Sequence, residues 1–170
     1  MCNGHNHPGG CECGFGPPYP AIEVEVRKFY GRIDKDHPKV ADINIKFPIA
    51  KRNAFPKLDD VGNKSVLDAT AKAIQPLADN RFGEGRIRVI PTYLEKGSIE
   101  IGIVLMALAA IYKFVKDYPE LKKGVSELRN DIASNSKRLN GIVRRKYRHE
   151  EKRMKEKEID LRRRRRERNR

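Results

Sequence analysis

The sequence predicts an α+β protein: a small ββαβ domain, then an apolar helix, then a long basic amphipathic helix. Three observations lead to this prediction. Apolar and polar residues alternate with a period of two in three short segments before residue 97, a continuous apolar run follows within residues 98–116, and the positive charge is concentrated near the C-terminus. Of the net charge of +14, residues 137–170 carry +11, because they hold 17 basic and 6 acidic residues.

Residues 21–97 are predicted to form the small α+β domain. A helical pattern over 64–79 is kinked or ended by Pro76. The three predicted strands have alternating apolar positions, which are Ile22, Val24 and Val26, then Ile43, Ile45 and Phe47, and finally Ile87 and Val89. Because so few apolar residues are available, we expect a partner or a second copy to cover this domain.

The apolar run at 98–116 is predicted to be a helix that spans a membrane. A bilayer core requires about 20 apolar residues, and a helix of this length can reach its two interfaces when its end residues snorkel. The alternative is a helix buried inside a soluble fold or oligomer. The apolar residues of this membrane helix would be Ile99, Ile101, Ile103, Val104, Leu105, Leu108, Ile111 and Phe114. The positive-inside rule then places the basic tail on the cytoplasmic side.

Residues 117–143 are predicted to form an amphipathic helix that starts at a capping box between Asp117 and Glu120. Its apolar positions follow a heptad spacing with one member missing, at Asn135: Leu121, Val125, Leu128, Ile132, Leu139 and Ile142. This stripe favours packing against a second copy or a partner subunit. The alternative is a helix that folds back onto its own domain.

The tail at 144–170 is rich in arginine and predicted to contact an anionic surface. The residues that would make this contact are Arg144, Arg145, Arg162, Arg163, Arg164, Arg165 and Arg166. Anionic lipid head groups, nucleic acid and an acidic protein surface all fit such a tail. Without a partner, the run at 162–166 is expected to fray.

The N-terminal residues 1–20 contain a cluster of cysteine and histidine and end in a Pro-rich linker. Its candidate ligands are Cys2, His5, His7, Cys11 and Cys13. Thiolate and imidazole groups are the ligands of closed structural zinc sites, so the cluster predicts a zinc knuckle. The alternative is a disordered leader whose thiols have no ligand role.

The stretch CNGHNHPGGCECGFG resembles a short leader motif, CNxxNHPxxCxCGFG, found on assorted uncharacterised bacterial proteins. The resemblance implies a bacterial metal-binding leader with Cys2, His7, Cys11 and Cys13 as the recurring ligands and His5 as the spare. A second region, from Arg86 to Val115, is similar to small membrane-linked components of bacterial conflict systems. Neither resemblance implies a particular activity.

No arrangement of residues typical of an enzyme is present in the sequence, and Asp59 and Asp60 are predicted to lead into a helix or lie on the solvated surface. The predicted function is a non-enzymatic, membrane-associated adaptor or effector of a bacterial defence system. One alternative is a nucleic-acid-binding protein that uses the basic C-terminal helix and the zinc knuckle. The other is a structural subunit of a soluble oligomer with its apolar helix buried.

Overall fold

A computed structural model describes residues 22–30, 38–47, 58–95, 99–108 and 118–169. Within these ranges the elements follow the order β1 (Glu23–Phe29), β2 (Lys39–Phe47), α1 (Asp60–Phe82), β3 (Ile87–Glu95), β4 (Ile99–Ala107), α2 (Tyr118–Ser134) and α3 (Ser136–Arg168). The strands form a four-stranded sheet of order β1-β2-β4-β3 in which every neighbouring pair is antiparallel. The helices pack on one face of this sheet, so the predicted α+β class is confirmed.

The three strands predicted from alternation are present as β1, β2 and β3. Their core-facing side chains include Val24, Ile43, Ile45, Ile87 and Val89, all of which are buried. The predicted helix is longer than expected, because α1 runs through Pro76 to Phe82 and is capped at Gly83, which has a φ of +90°. Pro76 and the residue one turn earlier, Lys72, are both exposed, so water can satisfy the carbonyl that Pro76 leaves without a donor.

The apolar helix predicted at 98–116 is wrong for residues 99–107, which form β4. This strand lies between β2 and β3, and eight of its nine side chains are buried. Such a central strand reads as a continuous apolar run because both of its faces are covered. Of the residues predicted to form the membrane helix, Ile99, Ile101, Ile103 and Leu105 pack in the core beneath the helices, and Val104 is buried on the other face. Leu108 follows the strand, while Ile111 and Phe114 lie outside the described residues.

Within the described ranges, no helix is both long enough and apolar enough to cross a bilayer.

The apolar stripe from Leu121 to Ile142 is divided between two helices, because α2 ends at Ser134 and α3 begins after Asn135. Four of its members are fully buried in the same core as the sheet, and Leu121 and Ile142 are partly buried against that core: the four are Val125, Leu128, Ile132 and Leu139. These residues therefore lie as the alternative prediction describes, in helices that fold back onto their own domain. Association with a second copy or a partner subunit stays a prediction.

Side chains of the helices form hydrogen bonds with backbone groups at both edges of the sheet. On β3, the Gln75 amide donates to the Ile87 carbonyl at 2.8 Å and accepts from the Val89 N–H at 2.9 Å. Two residues further along, Pro91 has no N–H to offer. On β1, Arg129 of α2 donates from Nε to the Val24 carbonyl at 2.8 Å. These contacts occupy backbone groups that an added strand would otherwise bond to.

We expect Gln75→Leu to lower the free energy of unfolding by about 1–3 kcal/mol, because the backbone groups of Ile87 and Val89 lose their partners at a buried site. Lys72→Leu is the matched control, since it places the same side chain on an exposed position of α1, and should change stability by less than about 0.5 kcal/mol. Urea denaturation of the two variants measures both values. Equal effects would show that the Gln75 amide does not stabilise the sheet edge.

Candidate functional site

The second half of α3 is the most densely charged segment of the described chain. Its attachment to the rest of the protein begins at Arg153. The guanidinium of Arg153 donates from Nε to Glu150 Oε2 at 2.6 Å and from Nη2 to Asp59 Oδ1 at 2.6 Å. Asp59 is the N-cap of α1 and accepts the Gly62 N–H at 2.8 Å, as expected for a helix lead-in. We call Asp59, Glu150 and Arg153 the root of α3, because they join it to the start of α1.

Glu150 is the buried member of the root, with only 4% of its surface exposed. Burial by itself would raise the pKa of this carboxyl group. Hydrogen bonds from Arg153, Ser65 and Lys146 outweigh burial and lower the pKa of Glu150 to about 2. The pKa of Asp59 is also lowered, first by the Gly62 N–H and then by Arg153. Both carboxylates are therefore charged at neutral pH and hold the Arg153 guanidinium between them.

Residues 151–161 of α3, which we call the stem, carry no net charge because four basic and four acidic residues alternate along them. Three ion pairs at i,i+4 spacing run along the stem and into the residue after it: Glu151–Lys155 at 2.7 Å, Lys152–Glu156 at 3.8 Å and Glu158–Arg162 at 2.6 Å. Such pairs stabilise an exposed helix. The acidic residues of the tail thus lie mainly in the stem, where three of the four form ion pairs.

Residues 162–168, which we call the tip, contain six arginines and one glutamate, a net charge of +5. Every side chain of the tip is exposed, and the segment is helical through Arg168. Arg162 pairs with Glu158. Within the part of the chain that the structure describes, the arginines at 163–166 and Arg168 have no acidic partner. The tip therefore presents guanidinium groups that are available to an anionic partner.

The two other predicted anion-binding residues, Arg144 and Arg145, do not lie with the tip. They precede it by 17 or more residues of the same helix, which corresponds to about 26 Å along the axis. Arg144 is half-buried and donates to Asn140 Oδ1 at 2.8 Å, and Arg145 donates to the Gly141 carbonyl at 3.2 Å. The structure thus gathers the arginines at 162–166 into one cluster and leaves Arg144 and Arg145 outside it.

A second polar cluster lies on the face of the sheet opposite the helices. Its centre is Glu100 of β4, whose side chain is 7% exposed and accepts from Arg27 Nη2 at 2.6 Å. Asn44 donates to the same carboxylate oxygen, and Lys46 lies 3.9 Å from the other oxygen. Tyr93 donates to Asn44 Oδ1 at 3.2 Å. Both carboxylate oxygens of Glu100 therefore have cationic or amide partners within the sheet.

Sequence reasoning missed the root and the Glu100 cluster. The signal for the root was faint: Val143, Tyr147, Glu150 and Met154 follow a heptad spacing in which an acid occupies a core position. The apolar stripe is predicted to end within residues 117–143. It continues beyond them, because Tyr147 is buried and Met154 is partly buried against the core.

The predicted zinc ligands Cys2, His5, His7, Cys11 and Cys13 lie outside the described residues. Among the residues the structure does describe, no three histidine, cysteine, aspartate or glutamate side chains are grouped to hold a metal ion.

No protein-family model, curated protein or solved structure matches this chain.

Proposed function

We propose that this protein binds nucleic acid through the arginine tip of α3 and that its α+β body serves as the scaffold for that helix. The single observation that carries the proposal is the clustering of unpaired arginines in the tip beyond a stem of zero net charge. Arginine binds phosphate through a planar fork of donors, and neutralising phosphates releases counterions from the nucleic acid. Residues 1–136 carry a net charge of only +3, so binding to phosphates would centre on α3.

The distribution of side chains around the tip supports nucleic acid over a lipid surface. A helix that lies on a membrane needs an apolar face opposite its basic one. The nearest exposed apolar residues, Ile159 and Leu161, are two positions apart and therefore point about 160° away from each other. Arginines at five consecutive positions leave no side of the tip without a positive charge. This arrangement suits a partner that presents phosphates in several directions.

The membrane-associated adaptor predicted from the sequence depended on an apolar helix at 98–116. Since Ile99–Ala107 is a strand of the sheet, its apolar residues are explained by the core and do not require a membrane. A role in bacterial defence, a zinc-binding leader and a cytoplasmic basic tail at a membrane stay predictions.

The test is the affinity of the full chain for a fluorescently labelled 20-base-pair duplex, measured by anisotropy over a series of salt concentrations. Replacing the five arginines at 162–166 with glutamine keeps good helix formers in the tip and removes five charges. We expect the dissociation constant to rise at least about tenfold. The slope of log K against log salt should fall by about four, since each lost phosphate contact contributes about 0.9.

The matched control removes five exposed positive charges from other elements by changing Lys64, Lys72, Arg88, Lys122 and Lys123 to glutamine. This control should bind with nearly the salt slope of the unaltered chain. Equal weakening of both variants would mean that net charge, not the tip, governs binding. Arginine-dependent binding to phosphatidylserine vesicles without binding to the duplex would replace the proposal with a lipid partner.

A further inference from the structure

We infer that the tip of α3 lies in the major groove of B-form DNA, with arginines directed to the phosphates on both walls. This inference rests on the proposed function, because it specifies which nucleic acid the tip binds and how. Three properties of α3 lead to it: the size of the tip, the angular spread of its arginines and the stiffness of the stem that carries it.

The tip matches the groove in size and in charge. An α-helix with its side chains is about 10–12 Å across, and the major groove of B-form DNA is about 12 Å wide. The seven residues 162–168 extend about 10 Å along the helix axis. Duplex DNA carries one negative charge for each 1.7 Å of its axis, so a length of 10 Å holds about six phosphates. The tip has six arginines that can pair with these phosphates.

The angular spread of the arginines favours an enclosing site over a flat one. Successive residues of an α-helix are about 100° apart, so the five arginines at 162–166 are directed around the whole circumference. On a flat acidic surface, roughly half of these side chains would point away from the partner. In a groove, phosphates line both sides and base edges form the floor, where guanine O6 and N7 accept from arginine.

The stem holds the tip away from the body, which allows the tip to enter a groove. All side chains at 155–168 are exposed, and just before them the root ties α3 to the N-cap of α1 through the Arg153–Asp59 contact of 2.6 Å. The tip begins nine residues after Arg153 of the root, which corresponds to about 13 Å along the helix axis. Since the stem has no net charge, the phosphates neither repel nor strongly attract it. A helix that is held at its root and exposed on every side from residue 155 to residue 168 can lie lengthwise in a groove.

The first experiment breaks the helix without changing its charge. Ile159 is 64% exposed and uncharged, so Ile159→Pro interrupts α3 before the tip, and Ile159→Ala is the matched control. The nine residues after the break are too few to form a stable helix alone. In the full chain, we expect Ile159→Pro to bind a B-form duplex about tenfold more weakly than Ile159→Ala, while both bind single-stranded DNA of the same length equally. Equal duplex binding by the two variants would overturn the inference.

The second experiment blocks the major groove of the duplex. A duplex of the same sequence whose cytosines carry glucosylated hydroxymethyl groups has a blocked major groove and unchanged phosphates, and we expect at least tenfold weaker binding to it. Undiminished binding to this duplex, or tighter binding to an RNA duplex of that sequence, would overturn groove insertion and leave nucleic-acid binding in place. Absence of binding to every nucleic acid would overturn the proposed function together with the inference.

Discussion

Replacing Glu150 with alanine should lower the free energy of unfolding by about 2–3 kcal/mol, because it removes the buried carboxylate that accepts charge-assisted hydrogen bonds from Arg153 and Lys146. Glu150 is almost fully buried and accepts from Arg153 at 2.6 Å, with Lys146 Nζ 3.3 Å away. The loss will be visible as a lower midpoint in urea denaturation. Glu151→Ala is the matched control one residue away, where the pair with Lys155 is at the surface and contributes about 0.5 kcal/mol.

The contribution of Glu150 should also depend on pH in a defined window. Its pKa in the folded state is lowered from 4.5 to about 2, so the charged form is favoured by folding. The stabilisation is fully present above the unfolded pKa and is lost as the pH falls from about 4.5 towards 2. The difference in unfolding free energy between the unaltered chain and Glu150→Gln should therefore shrink over this window. A difference that stays constant from pH 7 to pH 2.5 would show that Glu150 is not charged in the folded protein.

Gly102→Ala is expected to destabilise the sheet by about 3 kcal/mol, the upper part of the range for overpacked core sites. Gly102 lies in β4, and the ring of Tyr93 on β3 lies across it. A Cβ at position 102 would stand 2.1 Å from Tyr93 Cε1 and 2.7 Å from Thr92 Oγ1, so the ring would have to move. Its hydrogen bond to Asn44 would move with it. Thermal or urea denaturation measures the loss.

Two further variants test whether the Tyr93 ring causes this loss. Gly141→Ala is the matched control, since nothing lies within 4 Å of a Cβ there and alanine favours the helix by up to about 1 kcal/mol, so its stability should rise. Adding Tyr93→Ala to Gly102→Ala should cost less than the two single changes predict, by at least about 1 kcal/mol. Additive effects of the two changes would contradict the steric explanation.

The sequence predicted the elements whose periodicity was unambiguous. Alternation identified β1, β2 and β3, and the apolar positions at 66–77 identified α1. The segment at 99–107 was misread because a strand covered on both faces has the composition of a buried helix. Two local features favoured a strand. Ile99, Ile101 and Ile103 alternate with Glu100 and Gly102, and β-branched residues are concentrated in this stretch.

Much of the candidate site could be read from the sequence, but its attachment could not. The arginine run at 162–166 can be read directly from the sequence, and so can the i,i+4 spacing of acidic and basic residues in the stem. The root joins Asp59 to Arg153, residues 94 positions apart, through a contact that only the tertiary fold creates. For the same reason, Arg144 and Arg145 were grouped with the tip, although they lie on the part of α3 near the core.

The near-complete exposure of residues 155–168 has a consequence for how this protein can diverge. A substitution there disturbs almost none of the packing in the body, so it should leave the midpoint of unfolding nearly unchanged. Selection can therefore change the end of α3 without compromising the fold, and relatives of this chain are expected to share the body while differing most in the last two helical turns of α3.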